Sequence, residues 1–162
     1  MPEIIVIAHN IRSTHNVGAI FRTSEGFGVK KIILSGYTPY PKLEQDTRLP
    51  HISSKLTSQI QKTALGAEEI VPFEYQETPN ITWLKSNGYR IVGLEQDARS
   101  AALSSYSSPE KITLILGEEV HGIPADLLKE CEDILEIPMV GKKESFNVSV
   151  AAGIALYQLS LL

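Results

Sequence analysis

Apolar positions along the chain follow two alternating patterns. Short apolar runs rich in β-branched residues at residues 4–8, 31–34, 70–73, 90–94, 112–116 and 134–138 have the length and composition of buried strands. Between them the apolar positions move to a three- to four-residue spacing. Val17, Ile20 and Phe21 mark a helix over 16–26, ended by Gly26 and Gly28. Further helices are expected over 54–65, before Gly66, over 80–86, before Asn87-Gly88, and over 124–130, with Pro124 near the start. A strongly apolar helix over 147–161 follows. Residues 36–51 carry three prolines and two tyrosines and read as an irregular surface loop. Loops of that length in compact domains are usually functional or disordered.

Strands that alternate with helices predict an α/β fold with a mostly parallel sheet flanked by helices. Such sheets bind ligands beyond the carboxyl ends of their strands. Chemistry is therefore expected just after Ala8, Leu94, Leu116 and Pro138. With 162 residues and no internal repeat or linker, the chain reads as one domain over 1–162. Its 43% apolar and 21% charged fractions exclude a disordered, collagen-like or disulfide-framework protein. The single cysteine, Cys131, has no internal partner, and the expected setting is a reducing cytoplasm. No run reaches the ~18 apolar residues of a membrane span, and residues 3–8 lack the marks of a signal peptide.

The net charge of −4 argues against bulk electrostatic coating of nucleic acid. Its distribution is uneven. Residues 1–63 carry 8 Lys/Arg against 4 Asp/Glu, whereas 64–162 carry 7 against 15. One basic face on an acidic protein is thereby permitted.

Three clusters can carry chemistry. In the first, Asn16 stands at the expected helix start as a capping residue, Gly18 admits a close backbone, and Arg22 offers a fork for phosphate or carboxylate. The second, Leu116-Gly-Glu-Glu-Val-His-Gly-Ile-Pro124, makes a tight loop after a strand, with Glu118 and Glu119 available to cations or hydroxyl donors. It is not a P-loop, because no Gly-Lys-Ser/Thr follows. In the third, a strand ends at Pro138, a basic glycine loop follows, and Ser145 or Asn147 fits the N-cap of the last helix. Exposed N–H groups at such a helix start suit a polar or anionic ligand end. The four histidines and Cys131 have no metal-ligand spacing, so no metal is expected. No Gly-x-Ser-x-Gly elbow is present. Trp83 is assigned to core or interface rather than to base stacking.

In this order the clusters resemble the SpoU/TrmH family of SPOUT RNA ribose methyltransferases. The matching segments are NVGAIFRTSEGFGV, LILGEEVHGIP and IPMVGKKESFNVSVAAGIALYQL. The resemblance implies an α/β sheet with a C-terminal deep trefoil knot, a feature that no sequence pattern reveals. It implies S-adenosyl-L-methionine as cofactor, held by Leu94, Gly117, Glu118, Ile137, Met139, Ser145 and Phe146. The implied reaction is methyl transfer to a ribose 2′-hydroxyl of tRNA or rRNA. Arg22 would be central to it, with Asn16, Glu118, Ser145 and Asn147 as further catalytic residues. A homodimer through the C-terminal helix is also implied, without membrane attachment. Lys30, Lys31, Lys42, Arg48, Lys55 and Lys62 are candidate phosphate contacts. Two other readings keep the same fold: a non-catalytic RNA-binding dimer, and a knotted methyltransferase acting on a base or a small molecule.

Overall fold

The computed structural model describes residues 1–161. Seven strands form one sheet: β1 (Glu3–His9), β2 (Lys31–Ser35), β3 (Phe73–Gln76), β4 (Arg90–Leu94), β5 (Ala101–Ala102), β6 (Lys111–Leu116) and β7 (Asp133–Glu136). Their order is β3-β2-β1-β6-β4-β7-β5, and every ladder is parallel. The helices are α1 (Thr14–Gly26), α2 (Pro50–Ala64), α3 (Ala67–Ile70), α4 (Ile81–Ser86), α5 (Ala125–Leu128) and α6 (Val148–Ser160).

Side chains alternate across the sheet, as extended backbone requires. In β1, Ile4, Val6 and Ala8 join a core with Val17, Phe21, Ile60 and Leu156 of α1, α2 and α6. Ile5 and Ile7 join a second core with Ile81, Leu84 and Leu127 of α4 and α5. Both faces of the sheet are covered, which is why its strands read as near-continuous apolar runs. Gly18 brings α1 against α2: a Cβ there would overlap Thr63 Oγ1 and the Ile60 carbonyl oxygen. Burial pushes the Cys131 thiol up to about 11, so it stays protonated at neutral pH.

The structure alters several boundaries. Of the strand expected at 70–73, Ile70 instead ends α3, and only Phe73 belongs to a strand, as the first residue of β3. Gly66, at φ 96°, opens α3, and Glu68 Oε2 accepts the Gly66 N–H at 2.9 Å. Helix α2 begins at Pro50, four residues early, with proline in the first turn where its missing N–H costs nothing. Helix α1 begins at Thr14, and its cap is Ser13, whose side chain accepts the Asn16 N–H at 3.2 Å. Asn16 is therefore not the capping residue. Its side chain is free for other work. The two-residue β5 carried no pattern to find.

Candidate active site

The carboxyl ends of β4, β6 and β7 lie side by side, and the loops that follow them enclose a cleft of about 340 Å³. The loop after β6 is folded tightly on itself. Glu118 N–H donates to Gly122 O at 3.1 Å, and Gly122 N–H returns to Glu118 O at 2.9 Å. Gly117 is required here, because a Cβ would run into the Gly122–Ile123 backbone. Glu95, just past β4, accepts the Ile123 N–H at 2.9 Å and ties the two loops together. Gln96 Nε2 donates to the Glu144 carbonyl at 2.7 Å, joining the loop after β4 to the loop after β7.

Apolar walls come from Leu94, Leu116, Ile137, Phe146 and Val148, and five glutamates (95, 118, 119, 136 and 144) add negative charge. Glu118 is buried. Its Oε2 accepts His121 N–H at 2.5 Å and lies 2.9 Å from His121 Nδ1. Its Oε1 is 3.3 Å from Arg12 Nε, but no donor is aligned on it, so this contact is coulombic and a hydrogen-bond site stays open.

A second polar chain runs along the cleft. Glu119 accepts the backbone N–H groups of Arg12 and Ser13 at 3.1 and 3.2 Å and the Asn16 Nδ2 at 3.2 Å. Because the carboxylate only accepts, the Asn16 amide is oriented with its oxygen outward. That oxygen accepts Asn147 Nδ2 at 3.2 Å. Asn147 Oδ1 is then available to cap α6, taking Ser149 N–H at 2.9 Å and Val150 N–H at 3.4 Å. Burial alone would raise the Glu119 carboxyl, but the Arg12 and Ser13 N–H groups and the Asn16 amide outweigh it. The group lies below its usual range.

Of the residues named from the resemblance, Leu94, Gly117, Glu118, Ile137, Ser145 and Phe146 line the cleft. Met139 does not; it is half-buried nearby in the chain. Asn16 and Asn147 stand beside the cleft in the polar chain. Arg22 stands apart. It is exposed on α1, almost two turns beyond Asn16, with no hydrogen-bond or ion-pair partner among the described residues. Glu119 joins the first two clusters through hydrogen bonds from Arg12, Ser13 and Asn16. Glu95 and Gln96 carried no signal of their own beyond following a strand.

Half of the candidate phosphate contacts are committed elsewhere. Lys30 pairs with Glu3 at 2.8 Å and Lys31 with Glu74 at 3.0 Å. Arg48 stacks 3.6 Å over Tyr40, holds Asp46 through two nitrogens and donates to the carbonyls of Tyr40 and Pro41. Lys42, Lys55 and Lys62 are exposed, without an ion-pair partner among the described residues. Trp83 is half-exposed on α4 and is not a core residue. Among the described residues, no group of three His, Cys, Asp or Glu could hold a metal, and no helix is long and apolar enough to cross a membrane.

Comparison with known proteins identifies the family. Residues 3–157 match the SpoU rRNA Methylase family. The 23S rRNA (guanosine-2′-O-)-methyltransferase RlmB of Coxiella burnetii is 31% identical over 160 residues, covering 98% of this chain and 58% of that protein. The tRNA (guanosine(18)-2′-O)-methyltransferase TARBP1 of Mus musculus is 29% identical over 156 residues, covering 96% of this chain and 9% of that protein. A crystal structure of an AdoMet-bound rRNA methyltransferase from Sinorhizobium meliloti superposes with a TM-score of 0.79 at 26% identity, covering 97% of this chain and 55% of that one. The chain thus spans little more than half the length of two of these relatives and a small part of the third. With the motifs, the sheet order and the match over 3–157 in agreement, the chain belongs to the SpoU rRNA Methylase family.

Proposed function

We propose that the chain is an S-adenosyl-L-methionine-dependent methyltransferase acting on a ribose 2′-hydroxyl of tRNA or rRNA. The observation that carries this reading is the polar chain Glu119–Asn16–Asn147, which joins all three sequence clusters beside one cleft. The cleft suits the cofactor. Its apolar walls fit an adenine, and its five glutamates fit a cationic ligand. The open Oε1 of Glu118 fits a hydroxyl donor. When bound, S-adenosyl-L-methionine supplies a methyl group on a positively charged sulfur. Gly117 and Ile137 offer backbone groups, while Leu94 and Phe146 exclude water. Ser145, exposed at the rim, is assigned to ligand binding.

Arg22 is assigned to the substrate. Arginine stays charged throughout the accessible pH range, so it orients the hydroxyl by holding the adjacent phosphate rather than by taking the proton. Alignment of the hydroxyl then supplies much of the rate. Asn16 and Asn147 keep α1 and α6 in register around that alignment.

We also propose that two copies pair through α6. Val150, Ile154 and Tyr157 are exposed at a spacing of four and three residues, an apolar stripe along one helix face, with exposed Leu161 just past the helix end. Pairing also gives the exposed Arg22 a second subunit to work against. A knot is part of the same reading. Its support is the strand order: β7 lies between β4 and β5, which are consecutive in sequence, and Gln96 clasps the outgoing chain at Glu144.

The test is incubation of the purified protein with labelled S-adenosyl-L-methionine and total RNA, followed by nuclease digestion and mass spectrometry. A 2′-O-methylated nucleoside is expected. Label on a base, or none on any RNA despite cofactor binding, would overturn the reading.

A further inference from the structure

A second cavity of about 600 Å³ lies beside the cleft, between the start of α1 and the loop over residues 36–49. The two share a wall. Arg12 and Ser13 line the second cavity, Glu118 and Glu119 line the first, and the wall is closed by the Glu119 contacts to the Arg12 and Ser13 N–H groups and by Arg12 Nε against Glu118. Their chemistry is opposite. Five glutamates line the cleft, whereas among the described residues no Asp or Glu lines the second cavity, which instead presents Arg12, His15, Gln59 and three tyrosines. Arg48 also lines it, but its charge is spent on Asp46. Arg12 is the other cation that lines it, and its Nε lies 3.3 Å from Glu118 Oε1 of the shared wall. Two-thirds of its side chain is exposed, and among the described residues its carboxylate neighbours, Glu118 and Glu119, belong to the other cavity.

Tyr37 is the second notable group. It is 54% exposed, yet its backbone is fixed. Asn10 Oδ1 accepts its N–H at 3.1 Å, and Tyr75 Oη donates to the Gly36 carbonyl at 2.7 Å. Thr38 Oγ1 takes the Ile11 N–H and donates to the Ala8 carbonyl, both at 2.9 Å. The fixed backbone presents a large, half-exposed ring at the mouth of the cavity. Tyr40 and Tyr75 stack on each other at 4.2 Å, while Tyr37 has only the Arg12 guanidinium, 5.9 Å from its ring centre.

We infer that this cavity is a subsite for a nucleotide of single-stranded RNA, with a base stacked on Tyr37 and a phosphate held by Arg12. An aromatic face beside a cation matches an unstacked base and its backbone charge. A duplex keeps its bases stacked and cannot use the ring. Because the subsite shares a wall with the cleft, the nucleotide it holds is a near neighbour of the one whose ribose faces the cleft. The inference rests on the RNA reading above.

The experiment measures binding of a fluorescein-labelled single-stranded oligouridylate and of a duplex RNA, together with calorimetry of S-adenosyl-L-methionine. Tyr37→Ala and Arg12→Ala are each expected to weaken oligouridylate binding roughly tenfold, within the range seen for lost stacking and phosphate contacts. Tyr37→Phe, which keeps the ring, is expected to restore it. Duplex binding should be insensitive to Tyr37→Ala. Arg12→Ala should also reduce the slope of log affinity against log salt by about one. Cofactor affinity of Tyr37→Ala should stay within about twofold of the parent, as for a surface change outside the cleft. Wild-type protein that does not bind the oligouridylate, variants that bind it normally, or an equal loss of cofactor and RNA in both alanine variants would each overturn the inference. If the binding pattern holds and no methyl reaches a ribose, the enzymatic reading fails and the subsite stands. If methyl transfer occurs and the variants bind RNA normally, the reverse is true.

Discussion

Asn147 Nδ2 donates to Asn16 Oδ1 across 3.2 Å, joining residues 131 positions apart in the chain. The bond sets the first turn of α6 beside the first turn of α1. It works in both directions, because the same Asn147 caps α6 with its oxygen. Asn147→Ala removes the cap and the link together. A loss of ~1 kcal/mol is expected, lowering the thermal midpoint by roughly 2–4 °C in a chain of this size. Asn147→Asp keeps the capping oxygen and loses only the donor. It should stay near wild-type stability while methyl transfer falls, which calorimetry and a labelled-methyl assay would separate.

Arg22→Ala should leave the fold untouched, since the side chain is exposed and has no partner among the described residues. Stability is expected to change by less than ~0.5 kcal/mol and cofactor binding to persist. Transfer should fall on the order of 10²-fold or more, the usual cost of removing one positioned charge-stabilising donor. Single-turnover kinetics with saturating cofactor would measure it.

Gly18→Ala tests the seat of α1 on α2. Alanine favours a helix interior by about 1 kcal/mol over glycine. Here the added Cβ meets Thr63 Oγ1 and the Ile60 carbonyl, and Ala64 N at 2.9 Å. Backbone cannot yield as a side chain can, so a net destabilisation of about 1–3 kcal/mol is expected from urea unfolding.

Acid should loosen the loop over residues 36–49 through Asp46. The Arg48 guanidinium, helped by the Leu43 N–H, holds the Asp46 carboxyl well below the ordinary carboxylate value. A carboxyl depressed in the folded state adds stability that is complete above its unfolded value near ~3.9 and fades as pH falls through the folded value. Wild-type thermal midpoints should therefore drop below about pH 4. Asp46→Asn should start lower at pH 7 and show a shallower acid decline, as circular-dichroism melts from pH 2 to 7 would record.

Ile154→Glu places a charge in the middle of the exposed α6 stripe. Light scattering should give a dimer for wild type and a monomer for the variant, with helical content unchanged. A monomeric wild type would sink the pairing proposal.

The sheet was legible because both of its faces are covered. Ile4, Ile5, Val6 and Ile7 are all buried, so no polar alternation obscured the run. At 70–73 the same logic failed. Ile70 is 66% exposed at the end of α3, and only from Phe73 does the chain pair with β2. β-branched content cannot distinguish the last turn of a short helix from the strand that follows. At the site, strand ends marked where a cleft should open, while Leu94, Gly117 and Ile137 themselves were named from the family resemblance, and all three line the cleft. The cap of α1 was misplaced because Ser13 and Asn16 are both good capping types, and only the three-dimensional neighbourhood gives Asn16 a better partner in Glu119. Arg48 read as a phosphate ligand by charge alone. Its Asp46 and carbonyl partners lie close in sequence, but the loop conformation that gathers them has no period.

The placement of β6 between β1 and β4 has a consequence for biosynthesis. When β1, β2 and β3 have emerged from the ribosome, β1 still lacks its neighbour on one side. The strand that will cover Glu3–Ala8 begins only at Lys111. For that interval the nascent polypeptide carries an isoleucine-rich edge with unpaired N–H and C=O groups, the kind of template on which chains aggregate.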